Sequence, residues 1–202
     1  MIIAFEGIDG AGKNTLVTAL KDELGADTIA FPRYDDSIHA QLARDALHGR
    51  MGDMTDSAFA MATMFALDRH GAKALLDDYA NDPKRILILD RYVASNAAYT
   101  AARTGDDAAL TWVAELEFER LGLPKPDLQV LVDTSPELAR ERAEKREAQD
   151  AARTRDRYER DGGLQAATSA AYARLAENSW GGPWVRSSDP AVIIQAVQDL
   201  MA

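Results

Sequence analysis

The chain contains no cysteine in its 202 residues. Disulfides, thiol nucleophiles and thiolate metal sites are therefore excluded. An excess of positive charge is missing as well. The net charge is −10, the wrong sign for gripping duplex nucleic acid through the general surface. No stretch approaches the roughly 20 apolar residues of a membrane span. The apolar N-terminal run has no charged region before it and is broken by Glu6, so it does not read as a signal peptide. A cytoplasmic protein with neither nucleic acid nor membrane as partner is expected. Histidine is scarce, and His39, His48 and His70 lack metal-ligand spacing. Repeats and low-complexity linkers are absent.

What is present points to a folded enzyme. Hydrophobic residues make up 47% of the chain, enough for one domain, 1–202, with a sizeable core. Short apolar runs at 2–6, 27–31, 85–90, 128–133 and 183–188 read as strands. Several are apolar throughout, as strands of a parallel sheet covered on both faces must be. Helical patterns fill 13–24, 37–48, 55–79, 94–120 with a break near Gly105, 135–148, 162–178 and 190–201. This alternation predicts an α/β fold with right-handed crossovers.

Residues 7–15 read GIDGAGKNT. Gly, four residues, then Gly-Lys is a phosphate-binding loop when it follows a strand and opens a helix, as here. Backbone N–H groups and the helix N-terminus then face the phosphates, and Lys13 reaches the terminal ones. The following Ser or Thr, which would hold magnesium, is replaced by Asn14. Asp90, ending the third strand, offers a second carboxylate for metal and water. Arg33 and Arg91 follow the second and third strands, at the strand ends where open α/β sheets bind ligands. Two such arginines beside a phosphate loop suggest a second phosphate. Residues 140–157 hold seven basic and five acidic side chains. Arg142 and Arg146 lie four apart, which favours a mobile basic lid, about 140–156, over a plain solvated helix. The loop carries no arginine of its own, so the lid is the expected source of one for the transferring phosphoryl group. Spacing alone leaves Phe65 in an ordinary core stripe with Ala58, Met61 and Ala62.

GIDGAGK, FPRY, ALDRHGA, LILDRYVASNAAYTAAR, LGLPKPD and DRYERD, in this order from residue 2 to about 187, resemble the thymidylate kinase family, which phosphorylates dTMP. The resemblance implies a three-layer P-loop kinase fold: a five-stranded parallel sheet flanked by helices, with a basic lid. It implies ATP at Gly7, Ile8, Asp9, Gly10, Ala11, Gly12, Lys13, Asn14 and Thr15, assisted by Arg142 and Arg153. Asp9, Lys13, Arg91 and the lid residue Arg146 are the implied catalytic set. For the acceptor it implies a thymine ring on Phe65, a carbonyl bonded by Arg69, and Asn96 lining the base pocket. It implies Tyr99 against the 2′ position, and Arg91, Tyr34, Asp156 and Tyr158 around the monophosphate, to which the strand-end reading adds Arg33. Mg²⁺ is expected near the acceptor phosphate on Asp9 and Glu159, with Asp90 as a further oxygen ligand. A homodimer is also implied. A deoxynucleoside kinase, another nucleoside monophosphate kinase and a non-catalytic ATP-dependent switch remain as alternatives.

Overall fold

Burial along the strands dictates their order in the sheet. Ile2–Glu6 (β1) is buried at every position, which suits a central strand with helices on both faces. Asp27–Ala30 (β2) and Trp184–Arg186 (β5) are mostly exposed or half-buried, as edge strands are. Leu87–Asp90 (β3) and Leu128–Leu131 (β4) are mostly apolar and buried, apart from the half-buried Asp90. The computed structural model, which describes residues 1–149 and 155–201, places them in the order β2-β3-β1-β4-β5. All four pairings are parallel.

The chain leaves β1 toward β2 and leaves β3 toward β4 on the other side of the sheet. The β1–β3 boundary is therefore a switch point, and the segments after these two strands diverge around a crevice at their carboxyl ends. The helix Lys13–Leu24 (α1) follows β1, and Val93–Thr104 (α5) follows β3. Small side chains let α5 lie close to its neighbours: Ala94, Ser95, Ala97, Ala98 and Ala101 are all buried.

One expected helix is divided, and the break expected near Gly105 is present, with Gly105 capping α5 in the left-handed region. The segment expected at 55–79 is a 3₁₀ turn, Met54–Asp56, followed by Ala58–Gly71 (α3) and Lys73–Ala80 (α4). Ser57 caps α3 by accepting from the Ala60 N–H at 3.1 Å, an N-cap placed inside a run that reads as continuous. The segment expected at 94–120 is α5, Ala108–Ala114 (α6) and a π-helical stretch, Glu115–Arg120. Ile38–Leu47 (α2), Pro136–Gln149 (α7), Gly162–Glu177 (α9) and Pro190–Met201 (α10) match expectation closely. One short helix, Arg157–Arg160 (α8), was not expected. Its signal was legible: Asp156 and Glu159 form a capping box. Among the described residues no helix is long and apolar enough to cross a membrane.

Candidate active site

The loop after β1 turns tightly against α7. Gly10 has φ +84°, and a Cβ there would lie 2.1 Å from the Ala139 carbonyl oxygen. No other residue fits that close approach. Gly12, at φ +102°, precedes the first turn of α1, whose N-terminus has no side-chain cap. The uncapped N–H groups of a helix start are what a phosphate site requires. The Lys13 ammonium donates to the carbonyls of Gly7 and Ile8, both at 3.0 Å. Burial and the nearby Arg91 push its pKa down to about 8, against the opposing pull of Asp9, Asp90 and Glu6. Arg142 donates to the Ala11 carbonyl at 3.2 Å, joining α7 to the loop. Asn14 and Thr15 are exposed, and the Asn14 side-chain oxygen accepts from Thr18 at 3.4 Å.

Asp9 is the hub of the crevice. Its carboxylate takes a short ion pair from Arg91, a 2.6 Å bond from the Tyr99 hydroxyl and a 3.3 Å bond from Gln165. Burial works to raise its pKa, but the charges of Arg91 and Lys13 and these hydrogen bonds hold it well below the usual carboxylate range. Asp9 is therefore ionised at any working pH.

Arg91 is aimed by a strained backbone. Its φ is +70°, unusual for a residue with a side chain, and such geometry persists only where the surroundings over-determine it. Glu6 supplies that constraint. One of its oxygens accepts the Tyr92 N–H at 2.9 Å; the other accepts the hydroxyls of Ser95 at 2.6 Å and Tyr172 at 3.1 Å. Arg91 in turn donates to Ser95 at 3.2 Å and Tyr172 at 3.3 Å. Burial raises the Glu6 pKa, with the Ser95 bond and Arg91 partly offsetting it.

From Asp9 and Arg91 a cleft runs past Tyr34, Tyr99, Asp156 and Tyr158 to Phe65, Arg69 and Asn96. Tyr99 and Tyr158 stack with ring centroids 6.0 Å apart. Phe65 both lines the cleft and packs on the small core of Ala43, Ala46, Leu47 and Met61, so the two readings of that residue are compatible. Arg69 and Asn96 are pinned from behind by Glu117, which is fully buried. Asp156 caps α8, and burial raises its pKa.

One expected cleft residue faces elsewhere, and the expected metal ligands do not gather into one cluster. Arg33 does not line this cleft. Its backbone N–H and guanidinium turn onto Asp68, at 2.9 and 3.0 Å, and it faces a separate groove beside Gly71. Nor do Asp9, Asp90 and Glu159 form a metal cluster: among the described residues no group of three or more His, Asp or Glu is placed to hold an ion. Asp9 is engaged by Arg91 and Tyr99, while Glu159 accepts the Asp156 N–H at 3.2 Å to close the capping box. Arg153 and the side chain of Arg146 lie outside the described residues, as does part of the expected lid.

Sequence reasoning missed Glu6, Ser95, Gln165, Tyr172 and Glu117. Glu6 alone carried a signal, as an acidic residue closing an otherwise apolar central strand.

Comparison with known proteins points to a family. Its profile, described as Thymidylate kinase, matches residues 5–180. Thymidylate kinases from two strains of Mycobacterium tuberculosis are 52% identical over 193 residues, covering 92% of this chain and 90% of the relative. The solved thymidylate kinase of Candida albicans superposes with a TM-score of 0.69 at 21% identity, covering 99% of this chain and 90% of that one. That of Ehrlichia chaffeensis gives 0.69 at 17% identity, with 98% of each chain covered. At these identities the two solved structures speak for the fold alone.

Proposed function

The chain belongs to the thymidylate kinase family, and we propose that it transfers the terminal phosphoryl group of ATP to dTMP, giving dTDP and ADP. The observation that carries this reading is the cleft that joins Asp9 of the phosphate loop and its partner Arg91 to Phe65, Arg69 and Asn96. One end suits a phosphate, the other a base.

The nucleophile is an oxygen of the acceptor monophosphate, largely ionised near neutral pH because its second pKa is about 6. No general base is required. Lys13 and Arg91 align the two phosphates and neutralise charge as it shifts toward the leaving group. Arg142 stands over the loop, and the lid residues Arg146 and Arg153 are proposed to complete the cationic shell. Mg²⁺, bound with ATP, supplies further charge neutralisation. Of the carboxylates acting on Lys13, Asp9, Asp90 and Glu6, Asp9 and Asp90 would be the ones to help hold the ion, with phosphate oxygens and water as its other ligands.

A deoxynucleoside kinase would need a carboxylate base for a sugar hydroxyl after β2. Arg33, Asp35 and Asp36 occupy that segment, and all three face the other groove. A switch protein has no need of an acceptor pocket. We also propose a cytoplasmic homodimer. Phe59 on α3, 42% exposed and edge-on to Trp112 at 4.7 Å, offers an apolar surface for pairing.

A coupled ADP-release assay tests the reading. Turnover with dTMP, far slower turnover with UMP and none with thymidine are expected. Equal rates on thymidine and dTMP would sink the monophosphate-kinase assignment.

A further inference from the structure

Glu117 is a fully buried carboxylate that phosphoryl transfer does not use. We propose that it is the positioning residue that decides which pyrimidine the cleft accepts. It holds Asn96 and Arg69 in an arrangement suited to a base with a donor at N3 and an acceptor at position 4. The inference rests on the base-pocket reading given above.

Glu117 lies in the π-helical stretch Glu115–Arg120, where the Leu121 N–H bonds to the Leu116 carbonyl five residues back at 2.9 Å. Such widened turns redirect side chains and recur at functional sites. Of the three glutamates in this stretch, Glu115 and Glu119 are exposed and Glu117 is buried. Its two oxygens take a fork from Arg69: Nε to Oε2 at 2.5 Å and Nη2 to Oε1 at 2.7 Å. Oε1 also accepts from the Asn96 amide nitrogen at 2.7 Å, and that nitrogen's second bond goes to the Ala62 carbonyl at 2.9 Å.

These bonds settle the orientation of the Asn96 amide. A flipped amide would set its oxygen against two acceptors, the Ala62 carbonyl and the Glu117 carboxylate. With both N–H groups taken, Asn96 offers the cleft only its oxygen, an acceptor. Arg69, with Nε and Nη2 held by Glu117, offers Nη1, a donor. An acceptor beside a donor matches the N3–H and O4 of thymine or uracil. Cytosine presents an N3 acceptor and an N4 amine, and would meet like with like at both positions. Arg69 and Asn96 are both buried, and two mismatched polar groups at buried partners discriminate strongly.

The test is the ratio of kcat/KM for dTMP to kcat/KM for dCMP, measured in the wild type, E117Q and E117D. A glutamine that turns its amide N–H₂ to where the carboxylate accepted removes one of the two bonds that fix the Asn96 amide, leaving only the Ala62 carbonyl to hold its orientation. The ratio is expected to fall about tenfold or more in E117Q, chiefly through a higher KM for dTMP. E117D, charged but one methylene shorter, should fall between. A purely structural role would depress both substrates alike, and an unchanged ratio in folded E117Q would overturn the proposal. Folding is checked by thermal melting. Should E117Q not fold, the same ratio read in E117D decides: a reduced ratio supports the role, and a wild-type ratio overturns it. A wild type that fails to prefer dTMP over dCMP would overturn the base-pocket reading itself, a result distinct from either.

Discussion

The two ends of the cleft each hold an arginine–carboxylate pair, and the pairs are built differently. At the inner end, Arg69 and Glu117 are 4% and 0% exposed. Glu117 lies behind the pocket and does not line it. At the outer end, Arg91 and Asp9 are 15% and 25% exposed, and both line the cleft. The inner pair therefore fixes a recognition surface, whereas the outer pair is itself the surface. A buried pair with complete hydrogen bonding resists rearrangement, because separating it leaves an uncompensated charge. A pair open to solvent can exchange one partner for an incoming phosphate at smaller cost. The contrast suits the two tasks: base selection needs one rigid pattern, and transfer needs charges that follow the phosphoryl group.

Four outcomes would sharpen or break this contrast. The largest effect is expected from Glu117→Ala, which strands Arg69 in the core. Chemical denaturation should show a loss of about 3–5 kcal/mol. Asp9→Ala should cost clearly less, and equal losses would erase the distinction between the two ends. Next, Arg91→Ala should lower kcat/KM for dTMP by about 10²–10³-fold in steady-state assays, the usual cost of removing one charge-stabilising donor. Melting should show little change.

The third outcome concerns pH. Lys13 has its pKa pushed down to about 8, chiefly by burial and by Arg91. Its ammonium is thus charged below that pH and lost as pH rises through it. The pH profile of kcat/KM for ATP, which reports the free enzyme, should fall on its alkaline side with an inflection near 8. A profile flat to pH 10 would contradict this placement of Lys13. The smallest effect is expected from Tyr99→Phe. It removes a 2.6 Å bond to Asp9 but leaves the ring, so dTMP turnover should fall less than about tenfold. Preference over UMP should persist. A gain in UMP turnover would show that the hydroxyl, not the ring, excludes the ribose.

The contrast also explains what was legible in the sequence. The strands were legible because β1, β3 and β4 are buried and mostly apolar, and a run of that kind has few alternatives. The outer end was legible because its chemistry is local. The loop closes within residues 7–15, and Arg91 follows directly on its strand. Glu117 was not legible. A glutamate flanked by Leu116 and Phe118 reads as one more solvated helical position, and a π-helical turn has no sequence signature to mark it. Arg33 misled for a related reason. Its position at a strand end was right, but Asp68, 35 residues further along, captures the guanidinium. The metal set carried no geometry in the sequence, and among the described residues its three carboxylates do not gather into one group. Asp156 and Glu159 were instead announced by their spacing, which is that of a capping box.

The division of labour between the two ends is tested most directly by titration calorimetry of dTMP and thymidine against the wild type and Arg91→Ala. If the outer end reads only phosphate, the substitution weakens dTMP binding to near the affinity of thymidine and leaves thymidine binding unchanged. A parallel loss for thymidine would contradict the account, because the nucleoside end would then depend on Arg91 as well.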